Sequence, residues 1–178
     1  SSAASDVYKR QLYADYQATI GLTTADISGL DTSSVQDMSA MFAGCSSLKW
    51  LYLSRTNAIN TSNVTTMSRM FEGCSSLRQI DLAGIDTTKV TDMSNMFAGC
   101  SALGSIDISM LKTENVTTME GMFSRCGSLA AISLNGLDTA NVKSMHAMFA
   151  GCSALAEAVF TGVNAGAIVD MGQMLDGC

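Results

Sequence analysis

Six cysteines recur at one place in a repeating pattern: Cys45, Cys74, Cys100, Cys126, Cys152 and Cys178, all but Cys126 directly after a glycine. Such a column invites three chemistries: disulfide exchange, soft-metal binding and thiolate nucleophilicity. Its spacing has to be judged through the fold. The steps are 29, 26, 26, 26 and 26 residues, so neighbouring cysteines stand on successive turns of chain about 4.8 Å apart. That separation is within disulfide range, but equivalent side chains leave the backbone in parallel and do not aim their sulfurs at one another. A zinc site needs four ligands converging on a tetrahedron, which a straight ladder does not supply. The column is expected to hold buried free thiols that behave as small apolar residues, with Cys178 exposed and reactive at the end.

Two further sets of residues could do chemistry. Asp31, Asn60, Asp86, Asp138 and Asn164 form a column that could chelate calcium between turns, but Lys112 interrupts it and the glycine-rich nonapeptide of calcium-binding rolls is absent. Corner hydrogen bonding is the expected use of these side chains. The sequons Asn60-Thr61-Ser62, Asn63-Val64-Thr65 and Asn115-Val116-Thr117 fall in the same corner by repetition. The single histidine, His146, occupies a column otherwise filled by Ser39, Ser68, Ser94 and Glu120, which marks it as a surface position. With no second histidine there is no Ser-His or Cys-His pair within this chain, and the scattered acids form no local motif. No catalytic residue, metal or cofactor is expected.

The elements that place these side chains follow from the period. The unit reads L-D-T-x-x-V-x-x-M-x-x-M-F-x-G-C-S-x-L-x-x-I-x-L-x-G, with copies beginning at Leu30, Ile59, Ile85, Leu111, Leu137 and Val163. A repeat of this length marks a solenoid, in which each coil buries its apolar face only by stacking on its neighbours. The segments from Leu48 to Leu53, Leu77 to Leu82, Leu103 to Ile108, Leu129 to Leu134 and Leu155 to Phe160 end in strand-like alternation, predicting five short parallel strands, with a sixth in outline at Thr23 to Ile27. Met38, Met41, Phe42 and Cys45 stand at i, i+3, i+4 and i+7, the spacing of one helix face, and predict a short helix in each coil. Asp37, Thr66, Asp92, Thr118, Ser144 and Asp170 would cap those helices and the glycine before each cysteine would end them. The connections predict a right-handed coil. Twelve of the thirteen methionines, five of the six phenylalanines and all six cysteines are thereby assigned to the core, Met110 being the methionine left out.

Composition sets the outer bounds. With 47% hydrophobic and 15% charged residues and no proline, the chain is too apolar for disorder and long enough for one domain. A net charge of −6 argues against nucleic acid or an anionic membrane surface as partner. No run approaches the roughly 20 apolar residues of a membrane span. Residues 1–11 share nothing with the repeat, carry no signal-peptide pattern and resemble a translated sequencing-adapter scar, so they are read as a non-native or unstructured leader. Residues 12–29 read as a degraded coil and 30–178 as the solenoid, its last repeat cut halfway and expected to fray or self-associate at Met171, Met174 and Leu175.

The string V-x-x-M-x-x-M-F-x-G-C-S-x-L-x-x-I-x-L, in register from about Leu22 to Cys178, resembles the methionine-rich form of the BspA-like leucine-rich-repeat family of bacterial surface proteins. Arg125 in place of glycine, the insertion after Ser54 and the drift from Val163 to Val169 depart from that pattern. The resemblance implies an α/β, leucine-rich-repeat-like solenoid of about six coils, with a parallel sheet on one face and short helices on the other. It also implies a place at the cell surface or outside the cell, and a role in adhesion or host contact. It brings no catalytic residues.

Function is then sought on the outward strand positions, which the core does not fix. Lys49, Trp50, Tyr52, Arg78 and Gln79 gather aromatic and basic side chains of the kind found at binding hot spots, with Asp81 and Asp107 beyond them. A protein or glycan ligand across this face is the expected partner. Two rivals are a passive stalk, favoured by the small residues Gly104, Ala130, Ala131 and Ala156, and an accessory region of a secreted enzyme whose catalytic domain lies elsewhere.

Overall fold

The computed structural model describes residues 21–54 and 58–178. The expectations for the leader, for residues 12–20 of the degraded coil and for residues 55–57 of the insertion lie outside the described residues. Four strands form: β1 (Thr24–Asp26), β2 (Trp50–Tyr52), β3 (Ala131–Ser133) and β4 (Glu157–Val159). β1 pairs in parallel with β2, with Thr24 opposite Trp50, and β3 with β4, with Ala131 opposite Glu157. One coil per step therefore holds, and the outlined strand at Thr23 to Ile27 is present as β1.

Two of the predicted strands do not form. Leu77 to Leu82 and Leu103 to Ile108 follow the same path without strand pairing, so the sheet is split in two. Gly104 sits in this gap and has little strand preference. Its N–H meets the Arg78 carbonyl at 3.3 Å and its own carbonyl receives Ala130 N–H at 3.4 Å, whereas Ala156 N–H closes on the Ala130 carbonyl at 2.9 Å.

The predicted helices are also absent: among the described residues no α-helix forms, and each Met-to-Cys segment is a run of hydrogen-bonded turns. In the first full coil Met41, Ala43 and Cys45 N–H donate three residues back, to the Met38, Ala40 and Phe42 carbonyls. The alternate N–H groups of Met38, Ala40, Phe42 and Gly44 instead donate to the Thr66, Ser68, Met70 and Glu72 carbonyls of the next coil, at 3.1, 2.8, 2.8 and 2.6 Å. An α-helix would direct these donors four residues back within the segment. Left-handed residues break the helix at two places per coil: Ala40 at φ 55° with its counterparts Arg69, Asn95, Gly121, Ala147 and Gln173, and Gly44 at φ 80° with its counterparts through Gly177. A positive φ at the third residue of a hydrogen-bonded four-residue turn is the mark of a type II turn.

The residues expected as helix caps do two other things. Asp37, Thr66, Asp92, Thr118, Ser144 and Asp170 form an unbroken series of parallel bridges across all six repeats, on the side of the coil away from the strands. Their side-chain oxygens accept the backbone N–H two residues on, as Asp92 Oδ1 does from Ser94 at 2.8 Å and Asp170 Oδ1 from Gly172 at 2.8 Å. The capping chemistry is retained, but it initiates a turn.

The core lies between the two sides and follows the predicted columns. Met67, Met70, Phe71, Met93, Met96, Phe97, Met119, Met122 and Phe123 are wholly buried. Phe42, Phe71, Phe97, Phe123 and Phe149 stack face to face at 5.2 to 5.7 Å between ring centroids, and Phe160 closes the column edge-on against Phe149. A second buried column is polar. Thr61 Oγ1 donates to the Asp86 carbonyl of the next coil at 2.9 Å and accepts from Asp86 N–H at 2.7 Å. Thr87 and Thr139 make the same double contact with Lys112 and Asn164. Each such hydroxyl satisfies a donor and an acceptor that the corner would otherwise bury unpaired.

Candidate functional site

The strand side carries the residues singled out for binding. β2 presents Trp50 outward with 44% of its surface exposed, between the buried Leu48 and Leu51. Lys49 beside it is exposed, while Tyr52 is half-buried. Arg78 and Gln79 hold the equivalent outward positions of the next coil and are exposed. These five occupy two neighbouring coils. Asp81 and Asp107 are exposed as well, but each closes a local turn: Asp81 Oδ1 accepts from Ala83 N–H and Asp107 Oδ1 from Ser109 N–H, both at 2.9 Å. Hydrogen bonds from Ser109 hold the Asp107 carboxyl below the usual carboxylate range. Asp107 thus stands a coil further along and belongs to a different local feature.

That feature was not visible as a motif. Ile106, Asp107, Ile108 and Ser109 on one coil and Ser133, Asn135 and Gly136 on the next line an open groove of about 530 Å³. It lies where the coil lacking a strand meets β3. The sequence signal that bears on it is indirect: Gly104 and Ser105 are weak strand formers at strand positions.

The cysteine column is buried from Cys45 to Cys152 and exposed at Cys178, with no disulfide among them. The sulfurs are not idle. Cys74, Cys100, Cys126, Cys152 and Cys178 Sγ each donate to the phenylalanine carbonyl of the preceding coil at 3.1 to 3.2 Å. Burial pushes the thiols of Cys74 and Cys126 up to about 12 and that of Cys152 to about 11. Cys100 is raised further, by burial first and then by its cysteine neighbours. Thiols held this way carry almost no thiolate, the form that attacks or binds metal.

The acid and amide column sits at the corners as expected, with each side chain closing its own turn. Asp31, Asn60, Asp86, Asp138 and Asn164 Oδ1 accept the N–H two residues on at 2.9 to 3.1 Å. Hydrogen bonds from Ser33 and Thr88 lower the carboxyl pKa of Asp31 and Asp86. The sequon amides are engaged: Asn63 and Asn115 Nδ2 donate to the Ser33 and Thr88 carbonyls of the preceding coil. No group of three metal-ligating side chains occurs among the described residues. His146 is half-buried and has a partner, its Nδ1 lying 3.3 Å from Asp170 Oδ1 of the last coil.

The repeat places this chain among known sequences. Two overlapping stretches, residues 10–131 and 78–178, match a family model described as "Mycoplasma protein of unknown function, DUF285". The chain belongs to this family. Among solved structures the DUF285 chain is similar to a leucine-rich repeat protein of T. pallidum, at 21% identity and a TM-score of 0.43, over 77% of this chain and 69% of that one. It is also similar to a leucine-rich repeat protein of Bacteroides ovatus, at 23% identity and a TM-score of 0.41, over 78% of this chain and 37% of that one. No curated protein matches it.

Proposed function

We propose that this DUF285 chain is a non-enzymatic binding module of the BspA-like, leucine-rich-repeat kind, exposed at the cell surface and contacting a protein or glycan partner across its strand side. One observation carries the reading: Trp50 stands 44% exposed on β2, whereas the stacked rings of Phe42, Phe71, Phe97, Phe123 and Phe149 are core. Lys49 and Arg78 flank it with positive charge on an acidic molecule. A large aromatic beside basic side chains is the composition of binding hot spots, since it couples apolar area to directed polar contact.

The competing reading is a stalk, and it is favoured by Gly104, Ala130, Ala131 and Ala156, small residues at outward strand positions of the later coils. Comparing binding of the intact chain to host cells or matrix with that of the Trp50→Ala, Tyr52→Ala double variant separates the two. The module predicts a loss of at least about tenfold, the effect of removing roughly 1.4 kcal/mol or more at a hot spot. Equal binding by both proteins removes the patch.

A further inference from the structure

We propose that the groove between the coil of Ile106 and the coil of Ser133 is a subsite for a neutral sugar. It is distinct from the Trp50 patch and does not depend on it. Among the described residues, backbone bonds between these two coils are missing at the groove. Where the sheet is intact, Ile27 N–H donates to the Tyr52 carbonyl at 3.0 Å and Leu134 N–H to the Val159 carbonyl at 2.9 Å. Among the described residues Ile108 N–H, which holds the equivalent position in its coil, has no acceptor, and the Ser133 carbonyl that would receive it has no donor. The Ile106 carbonyl is likewise without a donor among the described residues. The groove leaves these backbone groups open to solvent, where a ligand that both donates and accepts can pair with them.

The side chains around that edge ask for the same chemistry. The Asp107 carboxylate accepts from Ser109, its Oδ1 taking Ser109 N–H, and as an acceptor-only group it has lone pairs to spare for a ligand hydroxyl. Ser133 Oγ accepts Asn135 N–H at 3.1 Å and keeps its own proton to donate. The Asn135 amide makes no hydrogen bond among the described residues and offers both a donor and an acceptor, while Ile106 supplies half-buried apolar surface. A cation is not matched, because Asp107 is the one carboxylate in the lining. An anion is not matched, because that carboxylate would repel it and no lysine or arginine lines the groove. A purely apolar ligand would strip water from Asp107 with nothing in return. Vicinal hydroxyls on a ring with an apolar face satisfy every group, and the volume falls within the range of small-molecule sites.

The test is an amide NMR titration of the full chain with glucose, galactose, mannose and N-acetylglucosamine, with glycerol as a polyol control. At least one sugar should give saturable shifts at Ile106, Ile108, Asn135 and Gly136. Asn135→Ala and Asp107→Ala, both at exposed positions, should each weaken that binding about tenfold while their spectra keep the dispersion of the parent chain. Trp50→Ala should leave it unchanged, which keeps this test separate from that of the Trp50 patch. The proposal is overturned if none of the four sugars saturates, if glycerol produces the same shifts, or if the Asn135 and Asp107 variants bind as the parent does.

Discussion

Cys100 shows how one residue type can look reactive in the sequence and be inert in place. Its sulfur is wholly buried, donates to the Phe71 carbonyl at 3.2 Å, and shares that acceptor with Cys74 N–H at 3.1 Å. The thiol therefore acts as a tie between coils. Burial of the column was legible from the period, because the ladder geometry follows from the repeat. The sulfur-to-carbonyl bond was not, since it depends on how far each coil is displaced from the last. The reactivity that results is testable: with iodoacetamide at mild alkaline pH the native chain should be modified at Cys178 and spared at Cys74, Cys100, Cys126 and Cys152, while denaturant should expose all six. Rapid native labelling of Cys100 would contradict the structure. Arg125 illustrates the opposite case, a residue placed against its preference. It stands at φ 60° where four of its five counterparts in the other coils are glycines at 72° to 76° and the fifth a glycine at 80°, a cost of about 1 kcal/mol that its neighbours in the stack absorb.

At the scale of elements, the Met-to-Cys spacing predicts the buried stripe that forms, but the stripe is built from turns and not from a helix. The spacing of Met38, Met41, Phe42 and Cys45 is met equally well by consecutive turns, which also bring the first, fourth, fifth and eighth residues to one side. What decides between them is non-local, namely the capture of alternate N–H groups by the next coil. The left-handed column is little help from sequence, for it holds Ala40, Arg69, Asn95, Ala147 and Gln173, and one glycine, Gly121. The bridge series from Asp37 to Asp170 leaves no mark in the sequence for a related reason: a single paired residue per coil gives no alternation. The corner was better read. Asp and Asn do close their own turns, but the threonines beside them bond the next coil, as Thr87 does to both backbone groups of Lys112. Thr87→Val keeps the shape and orphans that donor and acceptor, so it should cost about 2 kcal/mol in urea unfolding. Thr65→Val, whose hydroxyl is exposed, should cost under about 0.5 kcal/mol. Equal costs for the two would show that the buried ladder contributes no more than a surface hydroxyl.

Over the whole molecule the turn runs are wired in one direction. Met145, Ala147, Phe149 and Gly151 N–H donate forward to the Asp170, Gly172, Met174 and Asp176 carbonyls, as their counterparts do in every earlier coil. In the last coil Met171, Gln173, Leu175 and Gly177 N–H have no such acceptor, and Val169, Met171 and Leu175 are exposed beside them. In hydrogen exchange of this chain at low concentration, these four amides should exchange with little protection while those of Met145, Ala147, Phe149 and Gly151 are held. If the expected self-association occurs at this end, their protection should rise with concentration. Full protection in a monomer would rule out an open end. A second copy docking here would have to supply carbonyls to these four donors. The same wiring has an electrostatic consequence. Five stacked interfaces each align four peptide groups along the solenoid axis, and aligned peptides sum to a dipole with partial positive charge where the N–H groups point. That pole lies at the Cys178 end, the reverse of a helix, whose positive pole is at its start. Asp170 and Asp176, exposed at this end, are placed to be stabilised by that field.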